Sequence, residues 1–132
     1  DADSIEVMLD PQLTRGETAT SDVLQVIASV TGALYDARGA GSTGDPTFDL
    51  AGLEAHAIAH GTINDDGADT GYQIVVAIPW PSPVAAEQLV GVDLALDNLG
   101  ASGLVYDDWA GVRPFAQPRY WHQVRLAPDA CR

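Results

Sequence analysis

His56 and His60 stand four residues apart, the spacing that on a helix sets two imidazoles on one face to grip a zinc ion. On a strand the same spacing separates them by roughly 13 Å, too far for one ion, and no His-Glu-x-x-His arrangement or third ligand accompanies them. Exposed strand histidines are the expected outcome. Asp65, Asp66 and Asp69 bring enough oxygens together to suggest calcium, which takes several oxygen ligands. Their spacing does not match an EF-hand loop, so a solvated turn is the competing reading. Gly39 to Gly44 loosely resembles a phosphate-cradling G-x-G-x-x-G but lacks the strand-to-helix setting that would give it meaning. Paired carboxylates for glycoside cleavage need a separation of about 5 Å or 6.5–9.5 Å. With 19 acidic residues many pairs would meet that by accident. No G-x-S-x-G elbow and no Cys/His pair is present, so no enzyme is expected.

The charge excludes further classes. Nineteen acidic residues oppose six arginines (15, 38, 113, 119, 125 and 132) and no lysine, a net charge of −13. Phosphate backbones and anionic membranes both require clustered cations, so neither nucleic acid nor a membrane is an expected partner, and neutral or cationic ligands remain. The acidity also fits coding bias or a salty habitat. The single cysteine, Cys131, lies next to the last residue, which excludes an internal disulfide or a cysteine metal cluster. It reads as the point where a longer chain was cut. At 132 residues the length fits one domain over 1–132. The opening Asp1-Ala2-Asp3 is not a basic-then-apolar leader, which leaves a mature product, an excised fragment or a cytoplasmic protein.

The elements that must position any site are short strands, because apolar residues recur with period two between Gly, Pro, Asp and Asn. Ile5, Val7 and Leu9 point one way and Ser4, Glu6, Met8 and Asp10 the other, with the first set facing the core. Leu24, Val26, Ala28 and Val30 share a face before a turn at Thr31-Gly32 into Leu34-Tyr35-Asp36. Residues 37–49 read as an exposed loop. A strand at 53–60 follows, then turn chemistry at 64–71, then the strongest strand, Tyr72 to Trp80, ended by Pro81 and Pro83. Ala85 to Leu89 has the composition of one helical turn, Gly91 opens a strand with Val92, Leu94 and Leu96 apolar, and Tyr120 to Leu126 forms the last strand with Val124 and Leu126 inward. The pattern predicts an all-β, antiparallel, jelly-roll-like β-sandwich.

Several of these segments fall in a familiar order. Asp3-Ser4-Ile5-Glu6-Val7-Met8-Leu9-Asp10, Gln25 before Gly32-Ala33-Leu34-Tyr35-Asp36, Gly61 to Asp65, Gly71-Tyr72-Gln73-Ile74-Val75-Val76-Ala77-Ile78-Pro79-Trp80, Gly91 to Asn98 and Phe115 to Trp121 together resemble the family 9 carbohydrate-binding modules and the wider group of small sandwiches that bind sugars or haem. The resemblance covers the later two-thirds of such a module, whose members begin with further strands. It therefore implies an incomplete module with sheet edges and part of its core open.

The same resemblance implies a secreted or cell-surface, non-catalytic module that attaches a larger protein to plant-type or microbial polysaccharide, tethered to its other domains. In the family two aromatics clamp a terminal sugar. The first would precede Asp1 and the second matches Phe115, with Trp109 and Tyr106 nearby. Trp109 and Trp121 are alternatively core or rim packing. Glu6 matches a rim group, whereas an expected Arg, Asn and Gln fall on Ile27, Ser29 and Ala95. Glu6 is then retained either for a sugar hydroxyl or for structure. The carbohydrate contacts expected are Glu6, Asn98, Trp109 and Phe115, with no cofactor. Calcium at the acidic loop follows the habit of family members. Haem would need Met8 paired with His122, His56 or His60. A structural or interaction module whose sugar site has decayed is the remaining alternative.

Overall fold

In the computed structural model the described residues are 3–62, 70–100, 103–111 and 117–127, with the backbone alone at 99 and 100. Among the described residues nine strands form: β1 (Ser4–Asp10), β2 (Leu24–Ser29), β3 (Leu34–Ala40), β4 (Thr43–Asp45), β5 (Glu54–Ala59), β6 (Tyr72–Ala77), β7 (Leu89–Gly100), β8 (Gly103–Asp108) and β9 (His122–Arg125). The large sheet runs β4-β3-β2-β1-β7-β8, with β9 also paired to β7, and β5 and β6 form a second, two-stranded sheet. Every pairing is antiparallel.

Period-two alternation gives the large sheet two apolar faces. On the Val7 face, Leu9 and Leu24 form a core with Leu50, against which Val7, Phe48, Leu53, Ile78 and Val92 pack. The β5–β6 hairpin supplies that cover, turning Ala55, Ala57, Ala59, Ile74 and Val76 inward and Glu54, His56, Val75 and Ala77 outward. Tyr72 ties its near end to the sheet, donating its phenol to Asn98 Oδ1 at 3.4 Å. On the opposite, Met8 face a second core joins Met8, Ala19, Val23, Ala95 and Trp121, with Tyr106 against it. Residues 16–23 and a 3₁₀ turn at Pro118–Tyr120 cover it, and the two are joined where Arg119 N–H donates to the Gly16 carbonyl at 3.1 Å.

The all-β, antiparallel sandwich architecture is thus present, and Val26, at 1% exposure, faces the core as expected. The Ile5/Val7/Leu9 face is not the sole core face of β1, however. As a central strand β1 is covered on both sides, and Met8, at 1% exposure, is more buried than Leu9, at 8%. Residues 37–49 are not a free loop either: β3 and β4 run through them, and Ala19 bridges Gly41 by two backbone hydrogen bonds of 3.1 and 3.0 Å. Gly39 reads as loop chemistry, yet it is required because the backbone of residues 19 and 20 passes close to it. Residues 85–88 form a tight turn instead of a helix, with Gln88 N–H on the Ala85 carbonyl at 3.2 Å and Glu87 at φ 63°, and Leu89 already opens β7. The last strand is short and exposed throughout, and Tyr120 belongs to the 3₁₀ turn.

The Val7 face is open beyond the hairpin. Leu94 and Leu96 are each 45% exposed and lie opposite Val7 and Ile5 in a groove of about 400 Å³ that Asp107 and Trp109 also border.

Candidate functional site

Three central strands bring polar groups together on the Met8 face. Residues paired directly across strands share a face with Cβ atoms about 5 Å apart. The pairs Tyr35–Ile27, Ile27–Glu6, Glu6–Ala95 and Ala95–Asp108 therefore form one row across five strands. The neighbouring row is Ser29, Ser4, Asp97 and Tyr106. Within it Ser4 Oγ donates to Asp97 Oδ2 at 3.1 Å, and from the next position on β2 Gln25 Nε2 donates to Glu6 Oε2 at 3.0 Å. Asp97 is 7% exposed and its Oδ1 has no hydrogen-bond partner among the described residues. A buried acceptor left unpaired costs about 1–3 kcal/mol, so this face carries an unsatisfied demand for a donor.

Ile27 and Ala95 stand on either side of Glu6. Two of the apolar departures from the family pattern thus flank a single carboxylate; Ala95, 3% exposed, belongs to the core, so the half-buried Ile27 supplies the apolar floor beside it.

Trp109 sits on the other side of the sheet. Its N–H donates to the Leu94 carbonyl at 2.8 Å, and its ring stacks on His122 with centroids 4.1 Å apart and planes at 23°. The buried Asp93 fixes this corner, Oδ1 accepting the N–H of Leu94 at 3.0 Å and of Ala110 at 2.9 Å. Burial pushes the Asp93 carboxyl above the usual carboxylate range. The charge of Asp108 acts the same way, against the two N–H bonds and the His122 charge. Folding therefore favours neutral Asp93. That contribution is complete below the ordinary value of about 3.9 and is lost as pH rises through the raised folded value. Asp93→Asn keeps an acceptor for both N–H groups and removes the ionisation. Urea melts are expected to show the variant gaining on the wild type between pH 3 and pH 7, and a stability difference that does not change with pH would contradict this.

The four residues picked from sequence do not converge. Glu6 lies on the Met8 face, while Trp109, just past β8 and 53% exposed, and Asn98 on β7 lie on the Val7 face, and Phe115 is outside the described residues. A sugar touching the Glu6 carboxylate cannot also stack on Trp109. His56 and His60 lie on β5 and just past its end, both exposed, and Met8 fills a core, where a haem iron has no access to its sulfur. Among the described residues no three His, Cys, Asp or Glu side chains are placed to hold a metal ion. The acidic loop at Asp65, Asp66 and Asp69, and Cys131, fall outside the described residues. Sequence reasoning missed Ser4, Gln25, Tyr35 and Asp97. Alternation signals their faces, but only the pairing register shows that they meet.

Two antiparallel sheets packed through apolar faces, with a polar row across the larger one, define an antiparallel β-sandwich. Its fold is that of the family 9 carbohydrate-binding modules: two solved structures of such a module from Caldicellulosiruptor kristjanssonii superpose on it. The complex with cellotriose matches at TM-score 0.67 and 15% identity over 95% of this chain. The complex with glucose matches at TM-score 0.66 and 15% identity over 94% of this chain. The chain spans 57% and 58% of those two chains. No family model matches the sequence, and neither does any curated protein. Among the described residues no helix is long and apolar enough to cross a membrane.

Proposed function

We propose that residues 1–132 form a single non-catalytic carbohydrate-binding domain, which holds a larger extracellular protein near polysaccharide by equilibrium binding. The observation that carries this reading is the polar row on the Met8 face. The Gln25–Glu6 pair offers a rim for hydroxyls, and Asp97 Oδ1 lacks a donor among the described residues. Sugars present apolar C–H faces ringed by hydroxyls, and a sheet face with an aliphatic floor and a carboxylate edge suits both. The cellotriose and glucose seen in the two structural neighbours support the ligand class. The net charge of −13 favours neutral glycans over uronates.

Affinity electrophoresis through gels containing xylan or soluble cellulose derivatives tests this. The wild type is expected to be retarded, and Glu6→Ala to bind roughly tenfold more weakly, as loss of one hydroxyl partner of about 1–3 kcal/mol implies. Identical wild-type mobility with and without every glycan would refute the reading. A second reading, an interaction module whose sugar site has decayed, is favoured by the open apolar groove at Leu94 and Leu96, since large exposed apolar patches mark protein contacts.

A further inference from the structure

We propose that Tyr35 is the aromatic platform of the Met8-face site, a subsite for the apolar ring face of a neutral pyranoside whose hydroxyls reach the Glu6–Gln25 pair; this rests on the carbohydrate reading above. On β3 the side chains alternate, and those sharing the Tyr35 face behave differently from it: Ala37 is fully buried, at 0% exposure, while Tyr35 is 39% exposed. Neither apolar core uses its ring, so its contribution to folding is small. The register then fixes what it faces. Tyr35 is opposite Ile27, and Ile27 is opposite Glu6, so the phenol and the carboxylate stand two strand spacings apart, roughly 10 Å. Between them lies the half-buried aliphatic side chain of Ile27.

An aromatic body at one end, a hydrocarbon floor, and a carboxylate already oriented by an amide at the other end match a flat ring with an apolar face and an equatorial rim of hydroxyls. No arginine belongs to the row, so nothing in it recognises a uronate carboxylate. The family resemblance implies Phe115 as the stacking ring, with Trp109 assisting it. Trp109 is excluded from this face by the sheet itself and Phe115 lies outside the described residues, so among the described residues Tyr35 is the exposed aromatic in the Glu6 row.

Calorimetric titration of the full 132-residue chain with cellotriose, paired with gel retardation on xylan, provides the test. Tyr35→Ala is expected to bind at least about tenfold more weakly, in line with the loss of an aromatic contact and its buried area, and Tyr35→Phe to stay within about threefold of the wild type. Tyr35→Leu keeps apolar bulk on β3 and is expected to lose binding as the alanine variant does, which separates ring stacking from strand integrity. Circular dichroism melts confirm that each variant is folded. If the wild type binds and Tyr35→Ala binds equally well, the inference is overturned while the carbohydrate reading stands. Loss of binding in Trp109→Ala, with Tyr35→Ala unaffected, would move the sugar to the opposite face and overturn it too. If the wild type binds no glycan, both fall together.

Discussion

Gly39→Ala is expected to lower the melting temperature by about 10 °C, although it adds a single methyl group to an interior strand. A Cβ at position 39 would overlap the Thr20 carbonyl oxygen and stand 2.6 Å from Ala19 Cβ. Neither obstacle is the movable end of a long side chain. Ala19 is held by its paired hydrogen bonds to Gly41, and Gly39 N–H is itself bonded to the Val23 carbonyl at 2.8 Å. Relief therefore requires the 19–23 segment to lift off β3, which would loosen Ala19 and Val23 from the Met8-face core. Overpacking of this kind costs typically 1–3 kcal/mol, and the rigid backbone places this case near about 3 kcal/mol. For a domain of this size each kcal/mol moves the transition by roughly 3–5 °C. Thermal melts followed by circular dichroism read this directly. A shift of no more than a degree or two would show that the segment does not lie against β3.

Leu24→Ala and Leu96→Ala remove the same atoms from strands of one sheet, yet their effects are expected to differ severalfold. Leu24, at 1% exposure, packs beneath the β5–β6 hairpin with Leu9 and Leu50. Its truncation leaves a cavity and should cost about 2–5 kcal/mol. Leu96, 45% exposed on the open part of the same face, loses only part of its transfer energy and no enclosed contacts. Its cost should stay below about 1 kcal/mol. Denaturant midpoints of the two variants at matched slope give the comparison. Equal losses would mean that the groove over Leu94 and Leu96 is covered in solution. In that case the protein-contact reading of this face would gain and the exposed-patch description would fail.

Much of this molecule is legible in the chain before any coordinates. Gly32 at φ 84° makes the turn that Thr31-Gly32 announces, and Ser29 closes it by accepting the Ala33 N–H at 3.1 Å. The strand expected over Tyr72 to Trp80 is present, though it ends at Ala77. The errors have a common origin. Met8 was assigned to the less covered side of β1 because one apolar stripe implies one buried face, an inference that holds for an edge or outer layer and fails for a central strand covered on both sides. The segment 37–49 was read as loop because its glycines look like turn chemistry. In the folded chain Gly39 is small so that residues 19 and 20 can pass over it.

The site divides in the same way. Alternation alone put Glu6 on one face and Leu94 and Leu96 on a face together, and composition alone made the chain acidic. Those properties belong to local geometry and to counting, and the amino-acid sequence determines them without reference to the rest of the fold. Which side chains meet across strands is different. The neighbours of Glu6 are Ile27, 21 positions away, and Ala95, 89 away. A period of two says which way a residue points but not which strand lies beside it. That choice is made by long-range pairing, where a slip of one residue exchanges the faces. Only the tertiary structure, through that register, set Tyr35 in line with Glu6 and put Trp109 behind the sheet.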